Sequence, residues 1–156
     1  MKKLLPALFI ALATSLPVFA HAQVEDWPHV GGASGGGHYT THTQINRDNH
    51  DDQEIAWIHR SGDYREGGNF KDGNNYPEEP LQTALQVTPI LFNNALYFCT
   101  PFNRVFALNP ETGEELWSYD PKVNLEEYAV PRCRGVSAWT SSKIEPGQAC
   151  QLRIIA

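Results

Sequence analysis

The chain has 156 residues, with 12 Lys+Arg against 18 Asp+Glu and a formal net charge of −6. An acidic protein without a basic cluster is excluded from the class that grips nucleic acid by neutralising phosphates. One modest core is possible at this length, and the absence of a long helical pattern favours an all-β single domain.

At the N-terminus, Lys2 and Lys3 precede the apolar run LLPALFIALA and the small residues of VFAHA. This is the pattern of a secretory signal peptide over residues 1–22, cut after Ala22, with a cut after Ala20 as the alternative. The apolar run is too short for a membrane span. The mature chain is therefore expected to be periplasmic and soluble, with 134 residues carrying 10 basic against 18 acidic side chains once Lys2 and Lys3 are removed.

Residues 23–53 are rich in Gly, His, Asn and Asp and are expected to be irregular, wrapping chain. A phosphate-cradling loop needs a strand before its glycines and a helix after them, and GGASGGG at 31–37 has neither. His38, His42 and His50 invite a metal reading, but they lie without helical periodicity and are read as solvated loop residues.

From residue 54 onward the pattern changes to short β-like runs separated by turns. EIAWIHR precedes Ser61-Gly62-Asp63, and a polar, Gly- and Pro-containing excursion follows to about residue 84. Strands are then expected at 86–92, 95–100, 104–109 and 114–119. Asn93-Asn94 suits a two-residue hairpin, because asparagine tolerates the positive φ such turns need. In Asn109-Pro110-Glu111-Thr112-Gly113, proline pre-sets φ and the late glycine returns the chain. The resulting meander carries apolar residues on both alternations, Val105 and Ala107 against Phe106 and Leu108. Such a sheet must be covered on two faces, which is the condition of a propeller blade. Trp117, closing the run, is expected to lie across the interface between blades with its N–H on a backbone carbonyl. An ordinary core aromatic of a β-sandwich is the plainer alternative.

Three cysteines head for an oxidising compartment. Cys133 and Cys150 flank a loop containing Pro146 and Gly147, and a disulfide between them is expected, two buried thiols being the alternative. Cys99, in the alternating run LYFCT, is expected to be a small core residue. No CxxC pair supports structural zinc.

The stretch ALNPETGEELW resembles the tryptophan-docking motif A-x-D-x-x-T-G-x-x-x-W of pyrroloquinoline quinone (PQQ) dependent dehydrogenases. Ala107, Thr112, Gly113 and Trp117 match it, and Asn109 stands where aspartate is usual. TQINRDNHDDQEIAWIHRSGD resembles the opening segment of that family, and QVTPILFNNALYFCTPFNRVFALNPETGEELWSYDP its first full blade. RCRGVSAW followed by CQLRII is most similar to the glucose, quinate and shikimate branch. The resemblance covers about residues 26–156. It implies residues 54–156 as the N-terminal part of an eight-bladed β-propeller, one full blade plus strands of its two neighbours.

The resemblance further implies PQQ and calcium in a central funnel, oxidation of a sugar or alcohol hydroxyl, and ubiquinone or a cytochrome as electron acceptor. Arg134, in CRGVSAW, matches the arginine that binds the quinone oxygens, and a guanidinium suits an anionic quinol. Gln86 matches a position where glutamate commonly contacts the cofactor. Trp139 occupies a place held by histidine in some membrane glucose dehydrogenases and by tryptophan in alcohol-oxidising relatives, so it assigns no substrate. The adjacent cysteine pair of the alcohol branch is absent, since only Cys133 precedes Arg134. No residue is assigned as the catalytic aspartate or as a metal ligand, and nothing places Asp51, Asp52 or Asp120 in a funnel.

The run QLRIIA closes without a turn or polar cap, and the chain is expected to be the first portion of a longer enzyme, inactive by itself. Peripheral attachment to the inner membrane stays open, whereas the absence of a multi-span region argues against the integral-membrane form. The alternatives are a non-catalytic propeller or repeat scaffold of the cell envelope and a self-contained disulfide-linked β-sandwich.

Overall fold

A computed structural model describes residues 26–67, 82–127 and 131–156. The expected signal peptide and most of the polar excursion before residue 84 lie outside them. The described chain is all-β, with two short 3-10 turns at His50–Asp52 and Leu125–Glu127. Among these residues no helix is long and apolar enough to cross a membrane.

Four strands form one antiparallel meander in chain order: β1 (Ile90–Phe92), β2 (Ala95–Cys99), β3 (Val105–Leu108) and β4 (Glu115–Tyr119). Each of the three connections carries the backbone its residues favour. Asn93 and Asn94 both have positive φ, 49° and 58°, and close β1 on β2 with Phe92 opposite Ala95. Between β2 and β3, Asn103 takes a φ of 59° and the Thr100 N–H donates to the Arg104 carbonyl. Between β3 and β4, the Asn109 side-chain oxygen accepts from the N–H groups of Glu111 (2.8 Å) and Thr112 (3.1 Å). An amide oxygen thus performs the local turn-forming task, which needs an acceptor and no charge.

The expected strand over 86–92 shortens to Ile90–Phe92. Pro89 has no N–H for a ladder, and Thr88 pairs in parallel with Gly135 instead. The lead-in run EIAWIHR is not a strand: residues 53–67 carry no ladder among the described residues. Its alternation survives nevertheless, with Trp57, His59 and Ser61 turned inward and Ile58 and Arg60 outward. Among the described residues no second strand runs beside it, and the segment docks through side chains.

Over β1 to β3 both faces of the meander are covered, while β4 is exposed along its length. On one, Ile90, Tyr97, Cys99, Val105 and Ala107 form a cluster with Val136. Cys133, Ala138 and Ile154 pack on that cluster, bringing in a second antiparallel pair, β5 (Ser137–Thr140) and β6 (Leu152–Ile155). On the other face, Phe98, Phe106 and Leu108 pack with Trp57, Val87 and Leu96. Every residue of β3 is buried, as a strand with apolar side chains on both alternations requires.

Residues 26–38 do more than wrap. Trp27 exchanges two backbone hydrogen bonds with Leu91, so it pairs with the edge of β1 opposite β2. Asp26 accepts from the N–H of Asn93 at 2.9 Å. Gly32 turns beneath the Trp27 ring, where an added Cβ would come within 2.8 Å of it. Glycine there is a packing requirement, consistent with the absence of phosphate-loop geometry around it. His38, His42 and His50 are exposed, as expected of loop residues.

Candidate cofactor site

The motif ALNPETGEELW works between elements. Its turn receives a tryptophan from the preceding segment: the Trp57 indole N–H donates to the Pro110 carbonyl at 3.1 Å, and the ring lies on Gly113. Gly113 has a φ of 72°, and a Cβ there would approach the Trp57 ring to 2.5 Å. The kind of bond expected of Trp117 is made here by Trp57, and Trp117 itself is 42% exposed. Trp117 faces the second sheet, beside Tyr97, with ring centroids 5.9 Å apart. Ala107 lies between them in register, paired with Tyr97 on one side and Trp117 on the other. Its small side chain leaves room for the two rings to meet over it.

The lead-in segment is also clamped by an ion pair that the sequence reading missed. Asp63, with only 5% of its side chain exposed, takes both Nη2 of Arg104 at 2.7 Å and its Nε at 3.1 Å. Thr100 also donates to Asp63, Arg104 also donates to the Ser61 carbonyl, and the guanidinium lies over Phe106. Ser61-Gly62-Asp63 is therefore a connector to the β2–β3 link. Its sequence signal was a carboxylate two residues after an inward-facing serine.

The cysteines pair differently from expectation. Cys99 joins Cys133, with Cα atoms 5.8 Å apart, and Cys150 is free and exposed. The reason is visible in the period of β2. Ala95, Tyr97 and Cys99 share the face covered by the second sheet, whose lead-in brings Cys133 onto it. Cys150 lies in the loop between β5 and β6, away from that face. Burial of Cys99 matches expectation, although as a disulfide partner.

Gln86 and Arg134 lie on two neighbouring, parallel stretches. The Thr88 N–H donates to the Arg134 carbonyl at 3.2 Å, and Thr88 bridges Gly135. Gln86 is two residues before Thr88. Both Gln86 and Arg134 are exposed, and neither side chain hydrogen-bonds another described residue. The lead-in stretches of the two sheets thus meet at one parallel bridge, with the exposed Gln86 and Arg134 close to it in sequence.

Asp51 and Asp52 are exposed on the first 3-10 turn. Asp120 is engaged by Lys122, whose ammonium at 2.7 Å and backbone N–H hold its carboxyl below the usual range. Among the described residues no three His, Cys, Asp or Glu converge as a metal site. Trp139, on β5, is 47% exposed and stacks under the guanidinium of its cross-strand partner Arg153.

Comparison with known proteins decides the family. Residues 27–156 match the family model described as the β-propeller domain of PQQ glucose, ethanol and alcohol dehydrogenases. The chain belongs to the PQQ-dependent dehydrogenase family. Within it, β1 to β4 are one propeller blade and β5 and β6 are strands of the next. The chain is 34% identical over 126 residues to a quinoprotein glucose dehydrogenase of Escherichia coli (strain K12), covering 80% of this chain and 15% of the relative. It is 33% identical over 128 residues to a quinate/shikimate dehydrogenase (quinone) of Acinetobacter baylyi, covering 82% and 14%. A quinoprotein glucose dehydrogenase A of Acinetobacter calcoaceticus matches at 37% over 112 residues, covering 71% and 13%. The chain therefore spans about a seventh of the length of the relatives it matches.

Proposed function

We propose that this chain is the N-terminal portion of a periplasmic quinoprotein dehydrogenase that oxidises a hydroxyl of a sugar or other polyol or alcohol. The family match and the names of the relatives support the reaction class, and the leader-like residues 1–22 support export. The observation that carries the site is the Thr88–Gly135 pairing, which sets Gln86 and Arg134 on adjacent parallel stretches with unengaged side chains. A guanidinium and an amide fit a planar, polyanionic quinone: the first as a forked donor to oxygen anions, the second as both donor and acceptor.

Bound PQQ supplies a two-electron acceptor for the substrate's hydride, with calcium as the expected Lewis acid beside it. This chain's part is to bind and orient. Arg134 holds negative charge that builds up on reduction, and Gln86 fixes the edge of the ring by hydrogen bonding. Gln86 contributes no formal charge, so Arg134 is the principal electrostatic contact. The base that takes the substrate proton and the calcium ligands are assigned to no residue here, and the 156 residues alone are proposed to be inactive. Ubiquinone or a cytochrome is proposed as the electron acceptor.

The test is reconstitution of the natural gene product containing this chain with PQQ and calcium, followed by dye reduction with glucose, quinate, shikimate and glycerol. The reading requires PQQ-dependent turnover of at least one of these hydroxyl compounds. Protein that binds PQQ but oxidises no alcohol or sugar would contradict it.

A further inference from the structure

The disulfide and the candidate cofactor arginine are adjacent in sequence, and the structure shows what that adjacency does. Cys133, Arg134 and Gly135 form one short lead-in to β5 that is held from three directions. Cys133 is bonded to Cys99, a completely buried residue at the end of β2. Arg134 gives its carbonyl to the Thr88 N–H, and Gly135 bridges Thr88. Both sulfurs also lie against the Gly135 carbonyl, at 3.4 and 3.6 Å. The disulfide therefore ties the first blade to the lead-in of the second at the residue before Arg134, while the Arg134 side chain itself stays exposed and unengaged.

An exposed arginine loses much rotamer and backbone freedom when it grips a ligand, and a fixed backbone reduces that cost. The disulfide is the covalent restraint on this lead-in, set between buried Pro131 and buried Val136. We infer that the Cys99–Cys133 disulfide is a positioning device for Arg134, pre-setting the guanidinium for an anionic quinone. This rests on the proposed role of Arg134. Breaking the bond leaves the lead-in held by the Thr88 pairing and the packing of Val136, and ligand affinity falls although no ligand-touching residue has changed.

The experiment is a double-mutant cycle read by PQQ binding in the natural gene product, with quenching of tryptophan fluorescence as the signal. Four proteins are compared: wild type, Arg134→Ala, Cys99→Ala with Cys133→Ala, and the triple variant. Removing both cysteines leaves no new free thiol. Should the paired alanines lower folded yield, Cys99→Val with Cys133→Ala refills the buried volume at Cys99 and replaces them. The expected result is a loss of roughly tenfold in PQQ affinity without the disulfide, the scale seen when an orienting partner is removed. In the Arg134→Ala background the same cysteine changes should cost less than about twofold, because the group they act through is gone. Equal losses in both backgrounds, or no loss in either, would overturn the positioning role and leave the proposed function standing. Unchanged affinity in Arg134→Ala alone would instead remove the assignment of Arg134, and the positioning role with it.

Discussion

The Trp57 indole N–H donates to the Pro110 carbonyl at 3.1 Å while its ring occupies the space a side chain at Gly113 would need. The turn between β3 and β4 is thereby the receptor for a tryptophan 53 residues earlier. The turn sequence is constrained twice, once by its own backbone and once by the ring it receives.

Gly113→Ala should therefore destabilise the fold by about 1–3 kcal/mol, combining the cost of a positive φ with the displaced ring. Denaturant melts of Gly113→Ala with and without Trp57→Ala separate the two. The steric part should vanish when the ring is removed, leaving the backbone part. Equal costs in both backgrounds would show that Trp57 does not rest on the turn.

Asn109 is an acceptor whose charge is immaterial to the turn. Asn109→Asp should be close to neutral, whereas Asn109→Ala should cost roughly 1 kcal/mol by stranding the Glu111 and Thr112 N–H groups. Thermal melts of the two variants rank them, and an aspartate variant as weak as alanine would refute the acceptor account.

At Asp63 the penalty should be larger. Asp63→Ala leaves Arg104 beside a buried, uncompensated site and should cost about 3–5 kcal/mol. The paired change Asp63→Ala with Arg104→Leu should recover much of this. Double-mutant analysis by denaturant unfolding gives the coupling, and additive losses would mean the pair does not act as a clamp.

Tyr97 provides a pH signature. Burial, and then the Asp26 carboxylate, raise its phenol above the ordinary tyrosine value. A raised folded value means the unfolded chain gives up this proton first. The stability linked to Tyr97 is thus fully present below the unfolded value and is lost as pH rises through the folded one. Ultraviolet titration should show a late-ionising tyrosine, and Asp26→Asn should bring it earlier. Uniform ionisation of all tyrosines would refute the burial of Tyr97.

Peptide mapping under non-reducing conditions should recover Cys99 linked to Cys133 and Cys150 alkylated. The bond closes a separation of 34 residues, for which chain entropy gives about 3–4 kcal/mol of stabilisation. A Cys133–Cys150 peptide would reverse the pairing.

Much of the blade was legible because its information is local. Alternation in ALYFC and VFAL, positive-φ asparagines and the PETG turn set the strands to within a few residues, apart from the start of β1. That start was misjudged because Pro89 and the partner of Thr88 act together, and the partner lies 47 residues ahead. The same limit explains the other corrections. Which tryptophan meets which turn, which cysteine meets Cys133, and where Asp63 finds Arg104 are facts of packing between segments. Sequence periodicity gives the face a residue occupies, as it did for Cys99, but leaves open what covers that face. For Gln86 and Arg134, family resemblance chose the residues and the Thr88–Gly135 pairing placed their backbones together.

The most direct measurement of the central claim is an experimental structure of the natural gene product with PQQ bound. The account predicts the Arg134 guanidinium within hydrogen-bonding distance of the quinone oxygens and Gln86 on the same ring. A structure in which PQQ binds elsewhere, with Arg134 turned to solvent, would contradict it.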